Sequence, residues 1–289
     1  VLYPIQKISS VEKNFPALLL GLDPKVREIY FRGNLDFGKN NFAVIGSRLP
    51  SPYGRQVCLK MVTSLAKNGL CIISGMAAGI DSFAHLAALE AQGQTVACLG
   101  SGLDEETLYP QENKKLAKRI LESGGCLISE YAPKTPGFKS NFLSRNRLIA
   151  GLSKATMVVE ARFKSGSLNT AWWAKKYGRL IFAVPGDISS PQSKGTNKLL
   201  ENGALPAANI NFVLEKIGIS KEIQKNAKLK GDCQEENLIL HELSGSIRHI
   251  DELIETTGLA APKILASLAN LEIKSKVKNL GGGLYTISV

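Results

Sequence analysis

Four short stretches carry side chains that could hold a phosphate or a base. The first is Gly46-Ser47-Arg48, where the apolar run "FAVIGS" passes into "RLPSPYG". A strand ending in a glycine turn and feeding a helix is a phosphate-binding arrangement, but the G-x-G-x-x-G spacing fails here. Arg48 stands where a second glycine would admit a pyrophosphate. An arginine at that place can reach out to a phosphate, or pair with a carboxylate such as Glu130 or Glu160. Spacing alone leaves both readings open.

The second stretch is "GFKSNFLSRNRLIAG", with Lys139, Phe142, Arg145, Asn146 and Arg147 around an expected helix start at 145. No acid lies between Ala132 and Val159 to compensate its three cations. Cations for phosphates with an aromatic platform for a base are the two elements of single-strand binding. The third, "KSGSLNT", places Lys164, Ser165, Gly166 and Ser167 at a helix start, where free N–H groups and the helix dipole favour an anion. An ordinary N-cap by Ser165 or Ser167 reads the same way. In the fourth, Asp81 and His85 are four residues apart on one helical face, as a base and its orienter would be. With no nucleophile spaced near them, a structural pair is the expectation.

The elements that must position these residues are legible as alternation. From Asn41 the apolar runs "FAVIGS", "LCIISG", "TVACLG", "CLISE", "ATMVVEA" and "LIFAVPG" alternate with helical segments at 53–68, 80–92, 113–123, 145–152, 167–177 and 195–203. Fully apolar strands alternating with helices predict an α/β fold, a Rossmann-like doubly wound parallel sheet. Ligands in such sheets gather at the carboxyl ends of the strands. All six runs end in small or polar residues, so a broad, shallow crevice is expected there. The adjacent Trp172 and Trp173 cannot both face the sheet strongly; one of them could serve an interface, with core packing the favoured expectation.

Composition narrows the partners. The 289 residues include 36 Lys and Arg against 25 Asp and Glu, a net charge of +11, with 44% hydrophobic residues. An excess of this size points to polyanions or to a solvated basic surface. Residues 237–289 hold five bases and five acids, so the excess lies upstream of them. The five cysteines are scattered without zinc spacing, which predicts free thiols in a reducing cytoplasm and no metal site. No run approaches the ~20 apolar residues of a membrane span. The chain opens at Val1, which leaves room for a segment upstream.

We read residues 1–41 as a lead-in, 42–218 as the Rossmann-like domain, 219–236 as a Lys-rich linker and 237–289 as a small winged-helix domain. The last reads as three helices followed by two strands joined through Gly281-Gly282-Gly283. Its third helix, "APKILASLANL", offers only Lys263 to a base edge, so a protein contact or a stabilising role is expected in place of sequence-specific DNA reading.

These pieces together resemble one family. "VIGSRLPSPYG", "ISGMAAGIDSFAHLAAL", "GQTVACLGSGLDEETLYPQEN", "CLISEYAP", "RNRLIAGLSKATMVVEARFKSGSLNTAWWA" and "GRLIFAVPGDISSPQSKGTNKLLENGA" are similar, in order over about residues 42–204, to the DNA-processing protein A (DprA/Smf) family of bacterial natural transformation. "IDELIETTGL" and "GGGLYTI" resemble the winged-helix tail of many members. The resemblance implies a cytoplasmic, homodimeric single-stranded DNA-binding protein, without enzymatic activity or cofactor, that protects incoming DNA and helps load the RecA recombinase. It further implies a pocket for phosphate and base built from Gly46, Ser47, Arg48, Lys139 and Phe142, completed by Arg145, Asn146 and Arg147. Two departures stand out. The family pattern Phe-Pro-x-Arg-Asn-Arg is here Phe142-Leu143-Ser144-Arg145-Asn146-Arg147. The helical N-terminal domain of many members is absent or cut away.

Two other classes compete. A nucleotide-binding or nucleoside-monophosphate phosphoribohydrolase-like enzyme would need Pro-Gly-Gly-x-Gly-Thr and a following Glu, where this chain has Ser165-Gly166-Ser167 and Thr170-Ala171-Trp172. A winged-helix transcription regulator with a ligand-sensing α/β domain is disfavoured by the neutral tail.

Overall fold

The computed structural model describes residues 3–38, 40–219, 231–243, 247–274 and 276–287. The chain divides into two compact units, Val1–Ser220 and Lys221–Val289. Most of the expected linker, 220–230, lies outside the described residues.

The first unit is built on a nine-stranded sheet. Its strands are β1 (Gln6–Ser9), β2 (Glu28–Gly33), β3 (Asn41–Ile45), β4 (Cys71–Ser74), β5 (Thr95–Cys98), β6 (Cys126–Ser129), β7 (Ala155–Val158), β8 (Leu180–Ala183) and β9 (Leu205–Pro206). The helices are α1 (Pro52–Lys67), α2 (Ile80–Glu90), α3 (Lys114–Glu122), α4 (Lys139–Gly151), α5 (Gly166–Lys176), α6 (Lys194–Glu201) and α7 (Ile210–Lys216). The spatial order is β1-β2-β6-β5-β4-β3-β7-β8-β9. Strands β3 to β9 pair in parallel, while β1 and β2 add an antiparallel edge to β6. The lead-in therefore contributes two strands to the main sheet.

Every residue of β3 is buried, as a strand covered on both faces requires. Its alternate side chains feed opposite layers. Ala43 and Ile45 pack with Leu148 and Ile149 of α4, whereas Phe42 and Val44 pack with Val62 and Leu65 of α1 and Ala84 of α2. The chain runs outward from β3 to β6, then returns through α4 to lay β7 on the other side of β3. The order reverses between β3 and β7, so their carboxyl ends frame the natural ligand crevice.

In the second unit, α8 (Gln234–Glu242), α9 (Ile250–Thr257) and α10 (Ala261–Ile273) pack with a small sheet of β10 (Arg248–His249), β11 (Val277–Gly281) and β12 (Leu284–Ile287). Ile239, Leu253, Ile264, Leu268, Leu271 and Val277 form its core. Gly258 takes φ 67° and ends α9, a left-handed C-cap that glycine adopts without strain. On α10 the exposed residues are mostly small or apolar, and Lys263 lies 3.7 Å from Glu235. Among the described residues, no helix is long and apolar enough to cross a membrane, and no cluster of His, Cys, Asp and Glu could hold a metal ion.

Candidate nucleic-acid interface

A cavity of about 810 Å³ opens at the carboxyl ends of β3 and β7. Its walls come chiefly from the loop after β3, the first half of α4, and the segment that carries the chain from β7 into α5, with Asp81 and Tyr109 adding to the lining.

The loop after β3 is pinned from beneath. The Ile80 N–H donates to the Ser47 carbonyl at 3.0 Å, which ties the turn to the start of α2. Gly79 makes this approach possible. It takes φ +82°, and a Cβ there would lie 2.3 Å from the Ser47 oxygen. With the backbone fixed, Arg48 projects into solvent.

Helix α4 begins at Lys139, six residues before the start expected from sequence. Leu143, unlike the proline of the family pattern, supplies a backbone N–H, so the ladder extends back through it; a proline is tolerated only in the first turn. Lys139, Phe142 and Asn146 then fall on one helical face at i, i+3 and i+7. The Phe142 ring packs over Gly100 and Gly137, where added Cβ atoms would come within 2.6 Å and 2.8 Å of it. Tyr109 flanks the ring at 5.1 Å between centroids, and the Arg48 guanidinium lies over it at 5.9 Å.

Arg145 has a different task. It is buried, and its Nη1 donates to the Gly75 carbonyl at 2.7 Å and to the Cys98 carbonyl. Asp81, also buried, accepts from the Gly75 N–H at 3.1 Å. Burial pushes the Asp81 carboxyl up from its ordinary value, opposed by the nearby Arg145 charge. A Cβ on Gly75 would meet both side chains at 2.7 Å. The small carboxyl ends of β4 and β5 are thus filled by Arg145 and Phe142. The broad crevice expected over six strands narrows to an opening above β3 and β7.

On the far side, Ser165 caps α5 by accepting from the Ser167 N–H at 3.3 Å, and the two hydroxyls lie 2.7 Å apart. Asn146 Nδ2 donates to the Gly166 carbonyl and to Asn169 Oδ1, both at 3.2 Å, locking α4 to α5. Lys164 and Arg162 are exposed at the rim.

Of the twelve residues singled out, eleven line the cavity: Gly46, Ser47, Arg48, Lys139, Phe142, Arg145, Asn146, Lys164, Ser165, Gly166 and Ser167. Arg147 does not. Its Nη2 bonds Glu130 Oε1 at 2.5 Å and its Nη1 donates to the Pro24 carbonyl at 2.8 Å. Neither carboxylate considered for Arg48 reaches it. Glu130 holds Arg147, and Glu160 accepts from the Ser51 hydroxyl and, at 2.9 Å, from the Ser51 N–H. Asp81 and His85 are not a pair. His85 Nδ1 meets Thr95 Oγ1 at 2.7 Å, and that hydroxyl spends its proton on the Ile72 carbonyl, so Nδ1 donates and Nε2 is left without a partner.

Sequence reasoning passed over Tyr109, Arg162 and Asn169, which also line the cavity. Tyr109 sits in "DEETLYPQEN", a stretch whose polar composition gave no sign of a ring aimed at Phe142.

Glu160 also settles what the first helix can bind. It is buried at the amino end of α1, and a Cβ on Gly54 would fall 2.3 Å from its carboxyl carbon. The place where a nucleotide-binding fold receives a pyrophosphate is filled by the protein's own carboxylate.

Comparison with known proteins accords with this geometry. The family model "DNA recombination-mediator protein A" matches residues 6–218, and the "DprA winged helix domain" model matches 224–283. This chain belongs to the DNA recombination-mediator protein A family. Protein Smf of Escherichia coli is 34% identical over 93% of the chain and 74% of its own length. A Mycobacterium tuberculosis relative is 37% identical over 80% of the chain, which spans 60% of that longer protein. Among solved structures, DNA processing protein A of Streptococcus pneumoniae superposes with a TM-score of 0.69 at 36% identity, covering 73% of this chain and 74% of that one. The Helicobacter pylori protein, whose structure addresses its single-stranded DNA binding mode, gives 0.65 at 31% identity, covering 74% and 96%.

Proposed function

We propose that this chain is a non-catalytic single-stranded DNA-binding protein. It grips the sugar–phosphate chain with Arg48, Lys139 and Lys164, with the α5 amino terminus of Ser165, Gly166 and Ser167 beside them, and it stacks a base against Phe142. In the cell it acts in natural transformation as a cytoplasmic homodimer that protects the incoming strand and loads RecA onto it. One observation carries the reading: a guanidinium sits over a half-buried ring at the switch point, and among the described residues neither Arg48 nor Lys139 nor Lys164 is engaged in an ion pair. Cations left free beside an aromatic face suit a polyanion with bases. The single-stranded DNA binding addressed for the Helicobacter pylori relative supports the same partner.

The enzyme alternative has less behind it. Among the described residues, Asp81 is the one carboxylate that lines the cavity, and it is buried against Arg145 and two backbone N–H groups. The test is direct competition. A single-stranded oligonucleotide should displace a labelled one in gel shift far better than its duplex, and nucleoside monophosphates incubated with the protein should release no free base. Duplex preference, or released base, would overturn the proposal.

A further inference from the structure

Helix α5 leads out of the cavity, and its outer half carries an aromatic surface that the site does not use. Asn169 and Thr170 line the cavity. Trp172 and Trp173 follow Asn169 at i+3 and i+4, so they share its side of the helix about one turn further along. Trp172 is 55% exposed, contrary to the core packing expected from sequence. It meets Trp173 edge-on at 4.7 Å, and Trp173 stacks on Tyr177 at 5.5 Å, so the outer indole is held by a row of rings and its free face turns to solvent.

The charge around this row is positive. Helix α5 holds no acid and ends in Lys175 and Lys176. The Lys176 ammonium lies 5.1 Å from the Trp173 ring and 6.0 Å from the Trp172 ring. Asp23 pairs with Lys176 at 2.9 Å, and Glu130, held by Arg147, lies near Tyr177 at the inner end of the row. Lys175, at i+3 from Trp172, is exposed.

We propose that Trp172 is a second stacking platform for the same DNA strand, which leaves the cavity along α5 and lays a further base on the indole beside Lys175. The inference rests on single-strand binding at the cavity. Three features favour DNA over a protein partner here: the surface continues the cavity wall on one rigid helix, cations flank it, and an exposed indole accepts any base face.

The two tryptophans are the only ones in the chain, so the protein reports on this surface itself. Labelled oligothymidylates of roughly six and roughly twenty nucleotides, lengths that bracket a single-strand site, would be titrated with anisotropy and tryptophan emission read together. The expected result is quenched emission with the longer strand. Trp172→Ala should remove most of that quenching and weaken the longer strand about tenfold, the size of one lost stacking contact, while leaving the shorter strand unchanged. Rising anisotropy with unchanged emission would overturn the inference and leave the cavity reading intact. Failure of both signals would overturn both. Emission that instead tracks protein concentration without DNA, with Trp172→Ala lowering the sedimentation coefficient, would assign the surface to a second copy and also overturn it.

Discussion

The Arg48 guanidinium carbon lies 5.9 Å from the centroid of the Phe142 ring. The two residues arrive from opposite sides of the switch point, one from the loop after β3 and one from α4. In the proposed function this sets phosphate contact and base contact side by side, and neither group is buried. The ring is pre-positioned by Gly100 and Gly137 behind it and Tyr109 beside it. Phe142→Ala should then weaken single-stranded DNA by about 1–3 kcal/mol, the range for one stacking platform, in an anisotropy titration. Phe142→Tyr should retain most of the affinity.

The two arginines that flank Asn146 should separate stability from binding. Arg145→Met leaves Asp81 buried without its counter-charge, which costs about 3–5 kcal/mol and lowers the melting temperature by on the order of 10 °C. Arg147→Ala removes a half-buried ion pair with Glu130, about 1 kcal/mol, and should leave DNA affinity within twofold. Calorimetry and anisotropy on the two variants check both statements.

Much of this organisation was legible in the chain. Strands β3 to β8 stand out as apolar runs because a sheet covered on both faces needs them, but their spatial order, and with it the switch point, is visible only in the structure. What periodicity could not give is where a helix face meets other elements. Arg145 and Arg147 read alike as uncompensated cations, yet one is met by the carbonyls of Gly75 and Cys98 and the other by Glu130, contacts made across the sheet. Helix α4 begins six residues before the start expected at 145, because the N–H of Leu143 lets the helix run back to Lys139. The edge strands β1 and β9 are too short to stand out in the sequence, and β2, six residues long, is only partly buried and lacks a continuous apolar run.

Acid should weaken the fold through His85. Burial lowers its pKa to about 3, far below the ordinary value of about 6.5 for a histidine. The unfolded chain binds a proton that the folded one refuses between these values, so stability falls as pH drops through that window, by up to about 1.4 kcal/mol per unit. Asp81, raised by burial, acts in the opposite sense, since the folded state then holds the proton longer. Urea unfolding at pH 5 and pH 7 should show a smaller difference in His85→Gln than in the parent chain.

Glu160→Ala should loosen the amino end of α1, where Ser51 caps the helix. It removes the acceptor for the Ser51 N–H and hydroxyl, at a cost of about 2 kcal/mol for charge-assisted bonds. Thermal melts should register that loss, while affinity for single-stranded DNA is kept at temperatures where the variant is folded.

The salt dependence of binding by Arg48→Ala asks whether the rim cations meet phosphates. For single strands, each neutralised phosphate contributes about 0.7 to the slope of log K against log salt. The variant should bind about tenfold more weakly near 0.1 M salt, with its slope shallower by about 0.7 and its melting temperature unchanged, because Arg48 is exposed. A slope and an affinity equal to those of the parent chain would contradict phosphate capture at this rim.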